Sequence, residues 1–163
     1  MRIKSDLIRI AYLAYGCEMI SAMMIEDHEN EKLFLLLLAW LTALERDGPM
    51  GPAWRLAFEA KALTFSGLTP RLNACVRCGE PLENTMLFSD AHGGAVHPQC
   101  GRGAPVSKTC LEQIERVRRT PLGAIPDIRI EPSGHGLLYG FFRYQTTRTL
   151  NGYSWTREVE SME

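Results

Sequence analysis

The stretch Cys75-Val76-Arg77-Cys78 is followed, after eighteen intervening residues, by His97-Pro98-Gln99-Cys100, and these two pairs are the most informative feature of the sequence. Each pair of soft ligands is separated by two residues, so one tight turn can aim both side chains at a single ion. Gly79 and Gly101 follow the two pairs, where such a turn favours a residue that tolerates positive φ. The spacing therefore predicts a closed structural Zn²⁺ site whose ligands are Cys75, Cys78, His97 and Cys100.

Other interpretations of the cysteine pairs are less well supported by the sequence. A redox Cys-x-x-Cys is expected near a βαβ pattern, and the flanks here are helical and irregular. A disulfide between Cys75 and Cys78 needs an oxidising compartment, and a metal-free degenerate knuckle also stays open. His92 competes as fourth ligand, but only His97 has the two-residue spacing to a cysteine. Four closed ligands leave no position for a reactive water, which argues against a catalytic metal.

The residues between the two pairs predict a small β-hairpin. Leu87-Phe88-Ser89 and the run from Ala91 to Val96, which includes Gly93 and Gly94, are typical of a small hairpin with a Gly-containing turn. Cys17 and Cys110 lie instead within apolar helical patterns, so we expect them to be small core residues rather than ligands.

Composition limits the class of protein. The chain has 163 residues, of which 45% are hydrophobic and 23% are charged, and its net charge is −1. These values are ordinary for a globular domain and give no global electrostatic case for nucleic-acid binding. The apolar run from Leu33 to Leu44 is too short to span a bilayer. Five cysteines without a recognisable signal peptide predict a reducing, cytoplasmic location.

The N-terminal half reads as three helices. Apolar residues recur with a helical period from about Ser5 to Met24, and Asn30 is a plausible N-cap for a second helix. The wide apolar face of that second helix predicts a central element packed on more than one side. Pro52 suits the first turn of a third helix, which we expect to stop at Gly67.

The C-terminal half predicts less regular structure. Ser107 can cap a short helix that ends near Thr120, the segment 123–136 is rich in Gly and Pro, and a last helix runs over about 136–150. The tail beyond Asn151 is expected to be loosely ordered, with Trp155 docking back. The predicted fold is mainly α, a helical bundle with an inserted zinc-knuckle and β-hairpin module. We expect a single domain over 1–163, with a helical core at about 5–70 and 105–150 and the zinc module at about 72–104.

Several strings in the sequence resemble the C-terminal domain of the RecO family. They are the run Leu33-Phe34-Leu35-Leu36-Leu37-Leu38, then Phe58-Glu59-Ala60-Lys61-Ala62-Leu63, then Gly67-Leu68-Thr69-Pro70-Arg71-Leu72, then Cys75-x-x-Cys78-Gly79. Four shorter segments are also similar to that family: Phe88-Ser89, Gly93-Gly94, Phe142-Arg143-Tyr144 and Leu150-Asn151-Gly152. The resemblance covers nearly the whole chain.

The resemblance implies recombinational DNA repair without bond-making chemistry. Members of the family act with RecR, help load RecA onto single-stranded DNA coated by single-strand-binding protein (SSB), and anneal complementary strands. Their N-terminal OB-fold binds nucleic acid, and this chain is expected to lack it because it begins where the helical domain begins. His97 stands where the common version of the family has a fourth cysteine, an exchange that zinc accepts. A nucleoid-associated bacterial location follows from the resemblance.

Two sets of cations are candidate partner sites. The family's helical domain captures the acidic C-terminal tail of SSB, and such a tail needs an apolar slot flanked by cations. The candidate cations for that clamp are Arg55, Lys61 and Arg71. A basic cluster is the candidate for nucleic-acid contact, offset by Glu112 and Glu115; its members are Arg102, Lys108, Arg116, Arg118 and Arg119. We expect DNA binding by this chain to be weak. An ordinary solvated helix face stays the alternative for both sets.

Two other classes of function compete with this interpretation. One is a stand-alone zinc-stabilised interaction domain whose partner is unrelated to repair. The other is an enzyme, for which the sequence offers no Gly-rich phosphate loop, no nucleophile–base motif and no His-Glu-x-x-His. We therefore expect no catalytic residues.

Overall fold

A computed structural model describes residues 7–26, 28–46 and 48–162, and within them the fold is mainly helical, as predicted. The helices are α1 (Leu7–Met23), α2 (Glu31–Leu44), α3 (Pro52–Phe65), α4 (Lys108–Arg119), α5 (Leu137–Thr146) and α6 (Asn151–Glu160). The strands are β1 (Thr85–Ser89), β2 (Gly94–Val96) and β3 (Ala104–Ser107). The expected start of α1 at Ser5 lies outside the described residues.

Local sequence signals place most helix ends correctly. Asn30 caps α2 by accepting the Leu33 N–H at 3.1 Å, and the Ser107 hydroxyl accepts the Cys110 N–H at 3.0 Å at the start of α4. Pro52 occupies the first turn of α3, and Gly67 lies just beyond its end with φ +82°. The structure confirms these predictions. They succeed because each depends only on residues within one turn of the helix end.

The small sheet has three antiparallel strands in the order β2-β1-β3. Leu87 pairs with Val96 across the predicted hairpin, and Met86 pairs with Val106 on the other edge. The hairpin prediction was correct but incomplete, since β3 extends the module past residue 104. The sheet joins the common core, where the Phe88 ring lies edge-on to Phe141 at a centroid distance of 5.9 Å.

The C-terminal tail corrects one prediction. Residues 151–160 form α6, which packs along α1, and Gly152, Thr156 and Val159 on this helix are buried. The Glu18 carboxylate holds its first turn by accepting the N–H groups of Asn151 and Gly152 at 2.8 and 2.7 Å. The helical core thus continues beyond residue 150. Trp155 does pack against the core, as expected.

Two further predictions, that α2 is a central helix and that Cys17 is a core residue, were wrong. Phe34, Leu35 and Leu38 on α2 are 57%, 52% and 44% exposed, so α2 lies at the surface and the more fully buried helix is α3. Cys17 is exposed on α1, whereas Cys110 is buried as predicted. In both helices the apolar residues surround too much of the circumference for the sequence to show which side faces the core.

Among the described residues, none of the helices has both the length and the hydropathy that a membrane-spanning segment needs.

Candidate metal centre and partner surfaces

Two turns carry the four candidate ligands and are held by backbone hydrogen bonds. In the first turn the Gly79 N–H donates to the Cys75 carbonyl at 2.9 Å, and Gly79 has φ +79°. In the second the Cys100 N–H donates to the His97 carbonyl at 2.8 Å. The Val76 N–H donates to Ala95 on β2 at 2.8 Å, which ties the first turn to the sheet. The fold thereby brings together two turns that are distant in sequence.

The ligand atoms of Cys75, Cys78, His97 and Cys100 lie within 4.8 Å of one another. The His97 Nδ1 atom is 3.4 Å from the Cys78 sulfur and 4.0 Å from the Cys100 sulfur. A tetrahedral zinc ion with ordinary bond lengths separates nitrogen from sulfur by about 3.6 Å. The observed spacings lie on both sides of this value, so the cluster can hold a metal ion.

The orientation of the His97 ring is fixed from outside the cluster. Its Nε2 atom lies 3.0 Å from the Pro81 carbonyl oxygen. A carbonyl can accept a hydrogen bond but cannot donate one, so Nε2 carries the proton. The Glu83 carboxylate is also near, with its Oε1 atom 3.9 Å from the same nitrogen. Nδ1 is therefore the bare nitrogen that faces the three sulfurs, the arrangement by which proteins usually orient a histidine ligand.

Cys75 and Cys100 have pKa values shifted in opposite directions. Burial raises the pKa of Cys75, but N–H donors of Cys78, His97 and Arg77 outweigh it and lower the pKa to about 6. Burial and the neighbouring Cys78 and Cys75 sulfurs raise the pKa of Cys100 to about 11. Three sulfurs crowd one small volume, and a divalent cation would offset their mutual repulsion as thiolates. The donor chemistry of three sulfurs and one imidazole suits zinc.

His92, the alternative fourth ligand, lies elsewhere. Its Nδ1 atom is 2.9 Å from the Ser89 hydroxyl, and its side chain is exposed. It takes no part in the ligand cluster found among the described residues.

Arg55 was predicted to be a cation of the tail clamp. This prediction is wrong, because Arg55 is fully buried. Its guanidinium donates to Glu59 on the same helix at 2.7 Å and to Glu160 on α6 at 2.7 Å. It also donates to the His135 carbonyl at 3.1 Å. Since its hydrogen-bonding groups are directed inward, Arg55 is a structural cation and cannot hold a peptide at the surface.

The network around Arg55 is one that the sequence analysis missed. Tyr15 donates to Glu59 at 2.9 Å, Tyr12 donates to Glu160 at 2.9 Å, and Arg157 donates to Glu160 at 2.5 Å. Burial raises the pKa of Glu59, whose Oε2 atom has no hydrogen-bond partner among the described residues. Burial alone would raise the pKa of Glu160, but Arg55 and its other partners lower it. The Arg55–Glu59 spacing of four residues was the one available sequence signal.

The other two predicted clamp residues lie apart. Lys61 is half-buried and donates to the Arg118 carbonyl at 2.6 Å, while burial lowers its pKa. Arg71 is exposed beside the ligand module, where its backbone bridges to Gly94. Lys61 lines a groove of about 350 Å³, here called the α2–α3 groove, formed by Lys32, Leu35, Leu36, Ala39, Lys61, Phe65, Pro121 and Leu122. Lys32, at the start of α2, also lines this groove and is not among the cations predicted from the sequence.

The candidate basic cluster is brought together only in part. Lys108, Arg116 and Arg119 share one face of α4 and line a groove of about 460 Å³ against the ligand module. This α4 groove is completed by Leu72, Asn73, Pro81, Leu82, Glu112 and Glu115. Arg118 pairs with Glu115 at 2.6 Å, and Arg102 is exposed in the segment after the second turn; neither lines the groove.

The fold and the site define a class of protein: a helical domain with an inserted module whose four Cys and His side chains could hold a metal ion. The family model described as "Recombination protein O C terminal" matches residues 4–153. The chain therefore belongs to the RecO C-terminal domain family, as the sequence motifs had indicated.

Curated relatives agree with the family match. The chain is 35% identical over 164 residues to the DNA repair protein RecO of Myxococcus xanthus, with 96% of this chain and 65% of the relative covered. It is 41% identical over 104 residues to the RecO of Anaeromyxobacter sp. strain K, covering 63% of this chain and 41% of the relative. The RecO of Roseiflexus sp. strain RS-1 is 29% identical over 170 residues, covering 99% and 60%. The chain thus spans about two fifths to two thirds of the length of these relatives.

Proposed function

We propose that this chain is the helical, zinc-binding part of a DNA repair and recombination mediator and that it works through protein contacts rather than catalysis. The family match over residues 4–153 carries the proposal. Relatives that align with nearly the whole chain are named DNA repair proteins, which supports a role in repair. In this proposal the mediator acts with RecR, assists RecA loading on SSB-coated single strands, and anneals complementary strands in the bacterial cytoplasm.

Zinc is the proposed ion of the four-ligand cluster. The donor set and its 3.4–4.0 Å nitrogen–sulfur spacings support it. Cys75, Cys78, Cys100 and His97 Nδ1 would hold the ion, which supplies a structural crosslink between the two turns. The Pro81 carbonyl orients the imidazole toward it.

The α2–α3 groove is the proposed site for the acidic SSB tail. Leu35, Leu36 and Phe65 provide an apolar floor for the tail's apolar end. Lys32 and Lys61 stand at the groove as cations for its carboxylates, and Lys61 keeps two further N–H donors beyond its bond to Arg118. Phe34 and Leu38, which are exposed on the same helix, extend the apolar surface available on α2. Arg55 and Arg71 have no part in this revised clamp.

Fluorescence anisotropy with a labelled SSB-tail peptide tests the groove. Lys32→Glu and Leu35→Ala are each expected to weaken binding by about tenfold, because one removes a cation at the groove and the other removes exposed apolar contact. Lys108→Glu in the α4 groove is the matched control and should leave binding unchanged. If Lys108→Glu weakens binding while Lys32→Glu does not, the tail site lies in the α4 groove instead.

RecR capture tests the wider role. Purified RecR immobilised on a surface should retain the chain if the helical domain shares in that contact. Failure to bind both RecR and the SSB tail would favour the alternative of a zinc-stabilised interaction domain unrelated to repair.

A further inference from the structure

Cys78 differs from the other ligands of the cluster in its accessibility. Its side chain is exposed, whereas Cys75 is buried and Cys100 is half-buried. Both of these sulfurs lie within 4.8 Å of the Cys78 sulfur. An accessible thiolate with a second thiol in reach is the arrangement found at oxidation-sensitive cysteines.

We propose that the candidate metal centre is also an oxidation site, at which Cys78 is oxidised first and is then joined to Cys75 or Cys100 by a disulfide bond. The inference rests on the proposed zinc occupancy, because a metal ligand is held as thiolate. Cys17 is exposed too, but it lies alone on α1, and Cys110 is buried on α4. Neither belongs to the cluster of thiols.

The chemistry balances with hydrogen peroxide as the oxidant. The Cys78 sulfur attacks one peroxide oxygen, so an S–O bond forms, the O–O bond breaks, and the leaving hydroxide takes up a proton to become water. The neighbouring thiolate then attacks the Cys78 sulfur, forming an S–S bond and displacing the second hydroxide, which is also protonated. Two thiolates lose two electrons in total, and the peroxide becomes two waters.

Oxidation in this way removes two of the four ligands. The remaining thiolate and His97 are too few to close a structural zinc site, so the ion is released. A dithiol reductant together with Zn²⁺ reverses the change. The site therefore differs from a permanently closed crosslink in that its occupancy follows the redox state.

The effect should reach the α4 groove through residues 79–83. The His97 imidazole donates to the Pro81 carbonyl at 3.0 Å, and Pro81 and Leu82 form one wall of the α4 groove. When His97 no longer binds the ion, its ring is free to rotate, and the hydrogen bond to the Pro81 carbonyl is weakened. Oxidation is thus expected to loosen a groove wall while leaving α1, α2 and α3 in place.

The test treats zinc-loaded, reduced protein with hydrogen peroxide and follows released zinc with a chromogenic chelator. We expect release of one zinc per chain in step with the loss of two free thiols. Peptide mapping should find the disulfide at Cys78, and hydrogen exchange should accelerate over 79–83. Cys17→Ser is the control for the lone exposed thiol and should release zinc at the wild-type rate.

Cys78→His separates the oxidation site from metal binding, because two cysteines and two histidines are also a normal zinc ligand set. This variant is expected to keep zinc and to release it about tenfold more slowly under peroxide. Should the variant fail to bind zinc, mapping the first oxidised cysteine of the wild type decides the question. Zinc that stays bound while Cys17 is oxidised, or a first oxidation away from Cys78, overturns the proposal. Absence of zinc in the reduced wild type overturns the zinc assignment itself.

Discussion

Arg55 shows how a residue's role depends on partners that are distant in the chain. The guanidinium lies between Glu59, four residues away, and Glu160, 105 residues away, and all three side chains are buried. The sequence suggested a surface cation because the partner that helps to bury Arg55, Glu160, lies 105 residues away in the chain. A buried charge requires compensation, so this network contributes to stability chiefly through the penalty for breaking it.

Removing Arg55 tests the buried network. Arg55→Ala leaves the buried Glu59 carboxylate without its cation and Glu160 with Arg157 alone, and it is expected to lower the free energy of unfolding by about 3–5 kcal/mol. Denaturant unfolding followed by circular dichroism measures it. Arg119→Ala is the matched control; its partner Glu115 is 2.6 Å away, but the Arg119 side chain is 68% exposed, so the expected cost is about 0–1 kcal/mol. Equal effects of the two variants would show that the buried network contributes no more to stability than an exposed ion pair.

His135 gives a pH dependence of known sign. Its Nε2 atom is 3.0 Å from the Ile130 carbonyl and its Nδ1 atom 2.9 Å from the Arg157 guanidinium, so the folded ring is neutral. Burial, together with Arg157 and Arg55, lowers the pKa of His135 despite the opposing Ile130 and Glu160. The unfolded ring, with a pKa of about 6.5, binds the proton more readily. The stability contributed by neutral His135 is therefore complete above about pH 6.5 and is lost as the pH falls below it.

Comparing His135→Gln with the wild type checks this sign. The difference in unfolding free energy between the two proteins should shrink as the pH is lowered from 7.5 to about 5, since only the wild type loses stability through this group. A difference that grows on acidification would contradict the neutral assignment.

At the scale of elements, the sequence predicted those features that depend on near neighbours. Asn30, Ser107 and Pro52 mark helix starts by interactions within a turn, and the ligand pairs are each contained in one turn. Helix α6 was missed because its support comes from Glu18, 133 residues earlier. The exposure of Cys17 and of the α2 face was missed because both helices are apolar on most sides, so packing partners decide their rotation.

Glu18 provides the test of α6. Its carboxylate accepts two N–H groups at the helix start, where negative charge also interacts favourably with the helix dipole. Glu18→Ala is expected to cost about 1–2 kcal/mol and to speed amide exchange in the first turn of α6. Glu18→Gln keeps one acceptor oxygen and should lie between. Unchanged exchange at Asn151 and Gly152 in Glu18→Ala would show that the cap does not hold the helix.

At the scale of the whole molecule, charge predicts weak contact with nucleic acid. Lys108, Arg116 and Arg119 share the α4 groove with Glu112 and Glu115, and the net charge of the chain is −1. Anisotropy with labelled single-stranded DNA should therefore give weak binding that falls steeply between 50 and about 200 mM salt. Tight binding that resists salt would contradict this expectation and would indicate base stacking or another surface.

The proposed zinc site connects all three scales, because its four residues lie on two turns of a module that packs against the helices. Zinc content of the protein purified without chelator, compared among wild type, Cys78→Ser, His97→Ala and Cys17→Ser, tests this most directly. We expect one zinc per chain in wild type and in Cys17→Ser, and its loss in the two ligand variants. Wild-type protein without zinc, or ligand variants that retain it fully, would contradict the assignment of Cys75, Cys78, His97 and Cys100 as the site.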